Sequence, residues 1–191
     1  MSPRTQNQFQ ALRKSRKDRI IETALELFAS EGYHSVSISQ IAVKAEMSKG
    51  LLYNYFPSKE ELLNAILVLG LEKIHDILAR IEDELDTPEE LLMYIRGGFQ
   101  TMKKEPEFYK LYFGLLFQPG ISDHIKEKYQ DFANHLNQDV ACYFKSKGDP
   151  NPEEKAFLLE ATIDAVGRHY LMSSESVDLD KMEKIIFELF K

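Results

Sequence analysis

The chain has 191 residues, 43% of them apolar and 29% charged, with a formal net charge of −7 and one cysteine. This composition excludes a disordered chain and a disulfide scaffold, and the lone Cys142 fits a reducing cytoplasm. The longest apolar stretches, Ala65 to Leu71 and Leu111 to Phe117, fall far short of the roughly 18–20 residues of a bilayer span. The basic N-terminus lacks a secretory leader pattern, so a cytoplasmic protein with no membrane contact is expected.

The charge is unevenly divided. Residues 1–60 hold nine Lys/Arg against six Asp/Glu, whereas residues 61–191 hold 15 against 25. Within the first 19 residues, Arg4, Arg13, Lys14, Arg16, Lys17 and Arg19 face only Asp18. A basic head on an acidic body points to a polyanion that meets one end; a solvated basic tail would give the same count.

Helical spacing runs along the chain and no strand-like alternation is sustained, so the expected fold class is all-α. Ile20, Ala24, Leu27 and Phe28, flanked by Ile21 and Leu25, form an apolar stripe over about 16–30, closed by Gly32 as a left-handed cap. Ser37 and Gln40 make a capping box that opens a short helix to about Ala45. Ser48 caps a second short helix running to Phe56, which Pro57 ends. Ser58 and Glu61 open a long helix to about Asp86. Thr87-Pro88 and Asn151-Pro152, each followed by two glutamates, supply a cap and a first-turn proline. Breaks at Glu105-Pro106 and Gln118-Pro119-Gly120 leave helices at about 88–104, 107–117 and 121–146, then 152–173 and 179–190.

Two short helices joined by a brief turn, behind a packing helix, form a helix-turn-helix. At about 100° per residue, Lys49, Gly50 and Tyr53 share one side of the second short helix, flanked by Asn54, while Leu51, Leu52 and Tyr55 fall opposite. The polar side offers a cation, a bare backbone, a phenol and an amide, groups suited to base edges or phosphates.

The run Ser37-Ile38-Ser39-Gln40-Ile41-Ala42, Ala45 through Phe56 and Ser58-Lys59-Glu60-Glu61-Leu62-Leu63 resembles the N-terminal signature of tetracycline-repressor (TetR) type regulators. The resemblance covers about a quarter of the chain; the remainder resembles the family in length and helical layout. It implies a basic tail (1–15), a DNA-binding domain (16–62) and a helical ligand-sensing and dimerisation domain (63–191). It also implies that Lys49, Gly50 and Tyr53 face the DNA groove, and that Tyr55, Lys59, Ser37 and Ser39 reach phosphates. Two positions depart from the pattern. Glu46 stands where a turn glycine is common, which strains the backbone if its φ is positive, and Leu51 replaces a frequently small or polar residue.

For the acidic body, Phe99, Met102, Phe108, Tyr109, Tyr112, Phe113, Leu116 and Phe117 concentrate bulky side chains that line an apolar pocket or simply fill a core. Phe157, Ala161, Ala165 and Arg168, with Ile185, Ile186 and Leu189, lie at helical spacing for a two-fold four-helix interface. His124 and His135 stand roughly three turns apart on one predicted helix, too far to share a metal. No metal, cofactor or catalytic constellation is expected. The implied function is a ligand-responsive regulator, most simply a repressor, that binds a palindromic operator as a homodimer and is released by a small apolar effector. A protein-binding helical adaptor and an enzyme are the competing readings.

Overall fold

The computed structural model describes residues 6–78, 85–119, 121 and 137–191. Among these, all regular structure is helical: α1 (Gln6–Glu31), α2 (Ile38–Lys44), α3 (Lys49–Tyr53), α4 (Lys59–Leu78), α5 (Pro88–Lys104), α6 (Pro106–Leu116), α7 (helical residues 137–146), α8 (Pro152–Met172) and α9 (Leu179–Phe190). The architecture is an N-terminal helix-turn-helix followed by a larger set of helices. No described helix is long and apolar enough to cross a membrane. His124, Asp131, His135 and the acidic run 82–84 lie outside the described residues.

α1 begins ten residues before the expected start at Arg16. The apolar stripe begins only at Ile20, but Gln, Ala, Leu, Arg and Lys dominate the preceding turns, and no Gly or Pro interrupts residues 6–19. Helix propensity therefore carries α1 beyond the stripe that packs it.

The chain forms two compact units. The first comprises Met1–Leu69 with Leu111–Ile121, and its core includes Ile20, Phe28, Ile41, Leu52, Leu62 and Ile66, all fully buried. Residues 111–121 are fastened into this unit by polar contacts. The Tyr112 hydroxyl donates to the Leu67 carbonyl at 3.1 Å. The Gln118 side chain donates from Nε2 to the Phe28 carbonyl at 2.7 Å and accepts the Tyr33 amide on Oε1 at 2.8 Å. One amide thus serves both sides of the α1 C-terminus, where Phe28 also accepts the amide of left-handed Gly32 (φ 88°).

The second unit comprises Gly70–Lys110 and Ser122–Lys191. In it, α5, α8 and α9 pack mutually, with Val140, Tyr143 and Phe144 of α7 joining Leu91, Ile95, Leu159 and Leu179 in one apolar core. Glycine permits close approach here: a Cβ at Gly98 would stand 2.9 Å from a methyl of Ile163, and one at Gly167 would overlap the Met102 sulfur. α5 and α9 are also joined by Arg96, whose Nη2 and Nε donate to Glu183 Oε1 at 2.8 and 3.1 Å. Thr87 and Glu90 form the expected capping box. Asn151 does not cap α8 with its side chain. Asp149 does the ordering instead, accepting the Asn151 amide at 3.0 Å and pairing with Lys155 at 3.0 Å.

Candidate nucleic-acid interface

The helix-turn-helix is assembled largely by local caps. Ser37 Oγ accepts the Gln40 amide at 3.3 Å while the Gln40 side chain accepts the Ser37 amide at 2.8 Å, starting α2. Ile38, Ile41, Ala42 and Ala45 turn inward, leaving Ser39, Gln40, Val43 and Lys44 outside. The turn then reverses at Glu46, whose φ of 56° is the left-handed conformation that its position suggested. Arg19 holds the Glu46 carboxylate at 2.6 Å. Ser48 Oγ accepts the Leu51 amide at 3.2 Å and starts α3.

α3 spans five residues and ends three short of the expected Phe56. Leu52 is its buried anchor, and Lys49, Gly50, Tyr53 and Asn54 are exposed. The Lys49 ammonium lies 5.9 Å from the Tyr53 ring centroid, so the cation and the phenol share one surface. The Cβ direction of Gly50 opens on empty space, leaving its backbone approachable. Ser37 and Ser39 are exposed and Tyr55 is half-buried.

Lys59 is a correction. Expected to reach a phosphate, its ammonium instead donates to the carbonyls of Tyr33 (2.9 Å), Val36 (3.0 Å) and His34 (3.4 Å), and it sits 4.5 Å from the Tyr33 ring centroid. All three protons are directed at the loop between α1 and α2. Desolvation lowers the Lys59 pKa and, with Glu60 nearby, raises that of Tyr33.

A further set of residues flanks α3. Phe9, Leu12, Arg13 and Arg16 follow one another along α1 at helical spacing, and with Leu51, Asn54 and Tyr55 they line a groove of about 180 Å³. That stripe was readable in the sequence once the helix was known to begin near Gln6. Gln118 had no comparable signal, because its partners stand 85 and 90 positions away.

In the body, several expectations change. Ile186 is 2% exposed within the second unit's core and cannot face a partner. Ile185 and Leu189 are exposed on α9; Phe157, Leu158 and Met172 are exposed on α8, as is Ala161, with Ala165 and Arg168 partly so. Of the expected pocket residues, Phe99, Met102, Phe108 and Tyr109 belong to the second unit and Tyr112, Phe113, Leu116 and Phe117 to the first. Phe99 is a core residue, Met102 fills the space over Gly167, and Phe117 is 67% exposed, turned to solvent rather than to a lining. Tyr109 is buried, which pushes its hydroxyl up to about 12.

Residues 20–66 match the family described as bacterial regulatory proteins, tetR family. The chain is similar to the uncharacterized HTH-type transcriptional regulator YuxN of Bacillus subtilis, with 44% identity over 155 residues, 77% of this chain and 52% of that protein. It spans about half the length, or less, of the curated relatives it matches. Its fold is similar to that of the fatty acid degradation regulator FadR from Bacillus halodurans, with a TM-score of 0.74, 23% identity, and 92% and 94% of the two chains covered. It is also similar in fold to SmeT in its triclosan complex, with a TM-score of 0.71, 16% identity, and 92% and 90% covered. With capped α2 and α3, a buried Leu52 and an outward polar face, residues 20–66 form the helix-turn-helix segment that matches the tetR family of bacterial regulatory proteins.

Proposed function

We propose that this protein is a ligand-responsive DNA-binding transcriptional regulator that acts as a repressor and binds a palindromic operator as a homodimer. The observation that carries the reading is the face of α3, where Lys49, Gly50, Tyr53 and Asn54 are all exposed opposite a buried Leu52. Such a face meets a major groove with a cation, an open backbone, a phenol and an amide. Ser37, Ser39 and Tyr55 supply phosphate contacts beside it.

The dimer forms through the outer faces of α8 and α9. Phe157, Leu158 and Met172 on α8 and Ile185 and Leu189 on α9 are large apolar side chains left in solvent by the monomer, a cost that self-association removes. Ala161 and Ala165 allow the helices to approach, and Arg168 lies at the margin. The effector is a small, largely apolar molecule. The names of FadR as a fatty acid degradation regulator and of SmeT in complex with triclosan support that chemistry. A ligand that releases DNA binds the DNA-free protein more tightly by the same factor, typically about 1–3 kcal/mol.

Selection from a randomised duplex pool should return a two-fold symmetric site with half-site centres roughly 34 Å apart. Tyr53→Ala should weaken that site more than scrambled DNA. A parent protein that binds selected and scrambled duplexes equally would overturn the regulator reading, and a monomer in sedimentation at micromolar concentration would overturn the dimer.

A further inference from the structure

We propose that the first half of α1 is a second DNA-contacting element, in which Arg13 and Arg16 seat a backbone phosphate beside the half-site met by α3. The inference rests on the DNA-binding reading above and extends it to residues before the matched segment, which starts at Ile20.

Packing does not account for this part of the helix. From Gln8 to Arg19 every residue is exposed except the half-buried Leu12. An isolated helix of that length is marginal in water, so the segment is held by the continuation of α1 and by the stripe that lines the groove with α3. Phe9, Leu12 and Leu51 supply apolar lining; Arg13, Arg16, Asn54 and Tyr55 supply donors on the same groove.

The charges in this region are unequally committed. Arg19 is paired with Glu46 and Lys44 with Glu26, whereas Arg13 and Arg16 have no ion pair among the described residues. Two guanidiniums without an ion pair, lining one groove with the recognition helix, suit a phosphodiester: each presents a planar fork that can bind two phosphate oxygens, which an ammonium cannot. The apolar lining lowers the local dielectric and strengthens such a pair. Because DNA repeats a phosphate at every nucleotide, a helix running beside the groove that α3 enters meets one without reading sequence.

The test is titration of the full chain with a random-sequence duplex and with the selected site at several salt concentrations. Arg13→Ala combined with Arg16→Ala should weaken both duplexes alike and reduce the salt slope by about one unit per bound protomer. Circular dichroism should show retained helix, since both side chains are exposed. Arg13→Lys with Arg16→Lys should keep the slope but lose affinity. Lys14→Ala, on the same helix but turned about 100° from Arg13, should leave the slope nearly unchanged. An unaltered slope in the alanine pair, unaltered affinity in the lysine pair, or an equal per-charge effect of Lys14→Ala would each overturn the seat, and with a specifically binding parent would leave the regulator reading intact. A parent that binds no duplex at low salt would overturn both.

Discussion

The two units are specified by different kinds of contact. In the first, short helices are started and stopped within four residues of each event: Ser37 with Gln40, Ser48 with Leu51, Ser58 with Glu61, and Gly32 closing α1. In the second, the decisive contacts join residues far apart in sequence, such as Gly98 with Ile163, Tyr94 with Glu160 and Arg96 with Glu183. A recognition surface must present a few side chains in a set geometry, and local caps provide that economically. The second unit needs only a packed set of helix faces, which many sequences can supply.

The largest expected effect falls on the first unit's anchor. Leu52→Ala should destabilise the protein by about 2–5 kcal/mol, because Leu52 is fully buried on a helix of only five residues; Leu51→Ala, half-exposed, should cost far less. Urea denaturation checks the pair, and equal costs would deny that Leu52 anchors α3. The corresponding break in the second unit is Gly98→Ala, which drives a Cβ to 2.9 Å from Ile163. About 1–3 kcal/mol should be lost by overpacking, with affinity for random duplex DNA retained when measured well below the melting temperature.

Lys59→Ala sharpens the contrast between a phosphate contact and a structural one. Its three carbonyl acceptors are left to water, so about 1–2 kcal/mol of stability should be lost while the salt slope of DNA binding stays near that of the parent. A slope lower by one unit with unchanged melting would return Lys59 to the phosphate role.

In the second unit, desolvation raises the Glu160 carboxyl from 4.5 to about 7, against the Tyr94 hydroxyl, which donates to it at 3.1 Å; Asp164 adds to the rise. The folded state then holds a proton that the unfolded state has released between these values. Stability present below pH 4.5 is lost as the pH rises through about 7. Glu160→Gln should therefore be more stable than the parent at pH 8, by about 1–2 kcal/mol after allowance for partial exposure, and should flatten thermal stability over that window. An unchanged pH profile would show that the carboxyl is not desolvated in solution.

The smallest effect belongs to Glu46→Gly. Relief of a positive φ should stabilise by up to about 1 kcal/mol, offset by a few tenths for the lost Arg19 pair, whose side chains are 50% and 75% exposed. Thermal melting should rise slightly; a fall would mean that the ion pair outweighs the strain.

Much of the first unit was legible because its signals are local. The caps at Ser37, Ser48 and Ser58 and the stripe from Ile20 to Phe28 can each be read within a few residues, where backbone hydrogen bonding and side-chain spacing leave few alternatives; the strain at Glu46 was implied by the resemblance. The same reasoning located the breaks at Glu105 and the start of α9. It could not show where long side chains end. The resemblance puts Lys59 at a phosphate, yet three carbonyls presented by a loop 23 to 26 residues earlier draw its ammonium inward. Ile185, Ile186 and Leu189 share an apolar helix, but only the packing of α9 on α5 and α8 decides that Ile186 is core and its neighbours are not. Period and capping chemistry are properties of the chain itself; burial and the partner of a flexible polar group are properties of whatever the rest of the chain brings beside it.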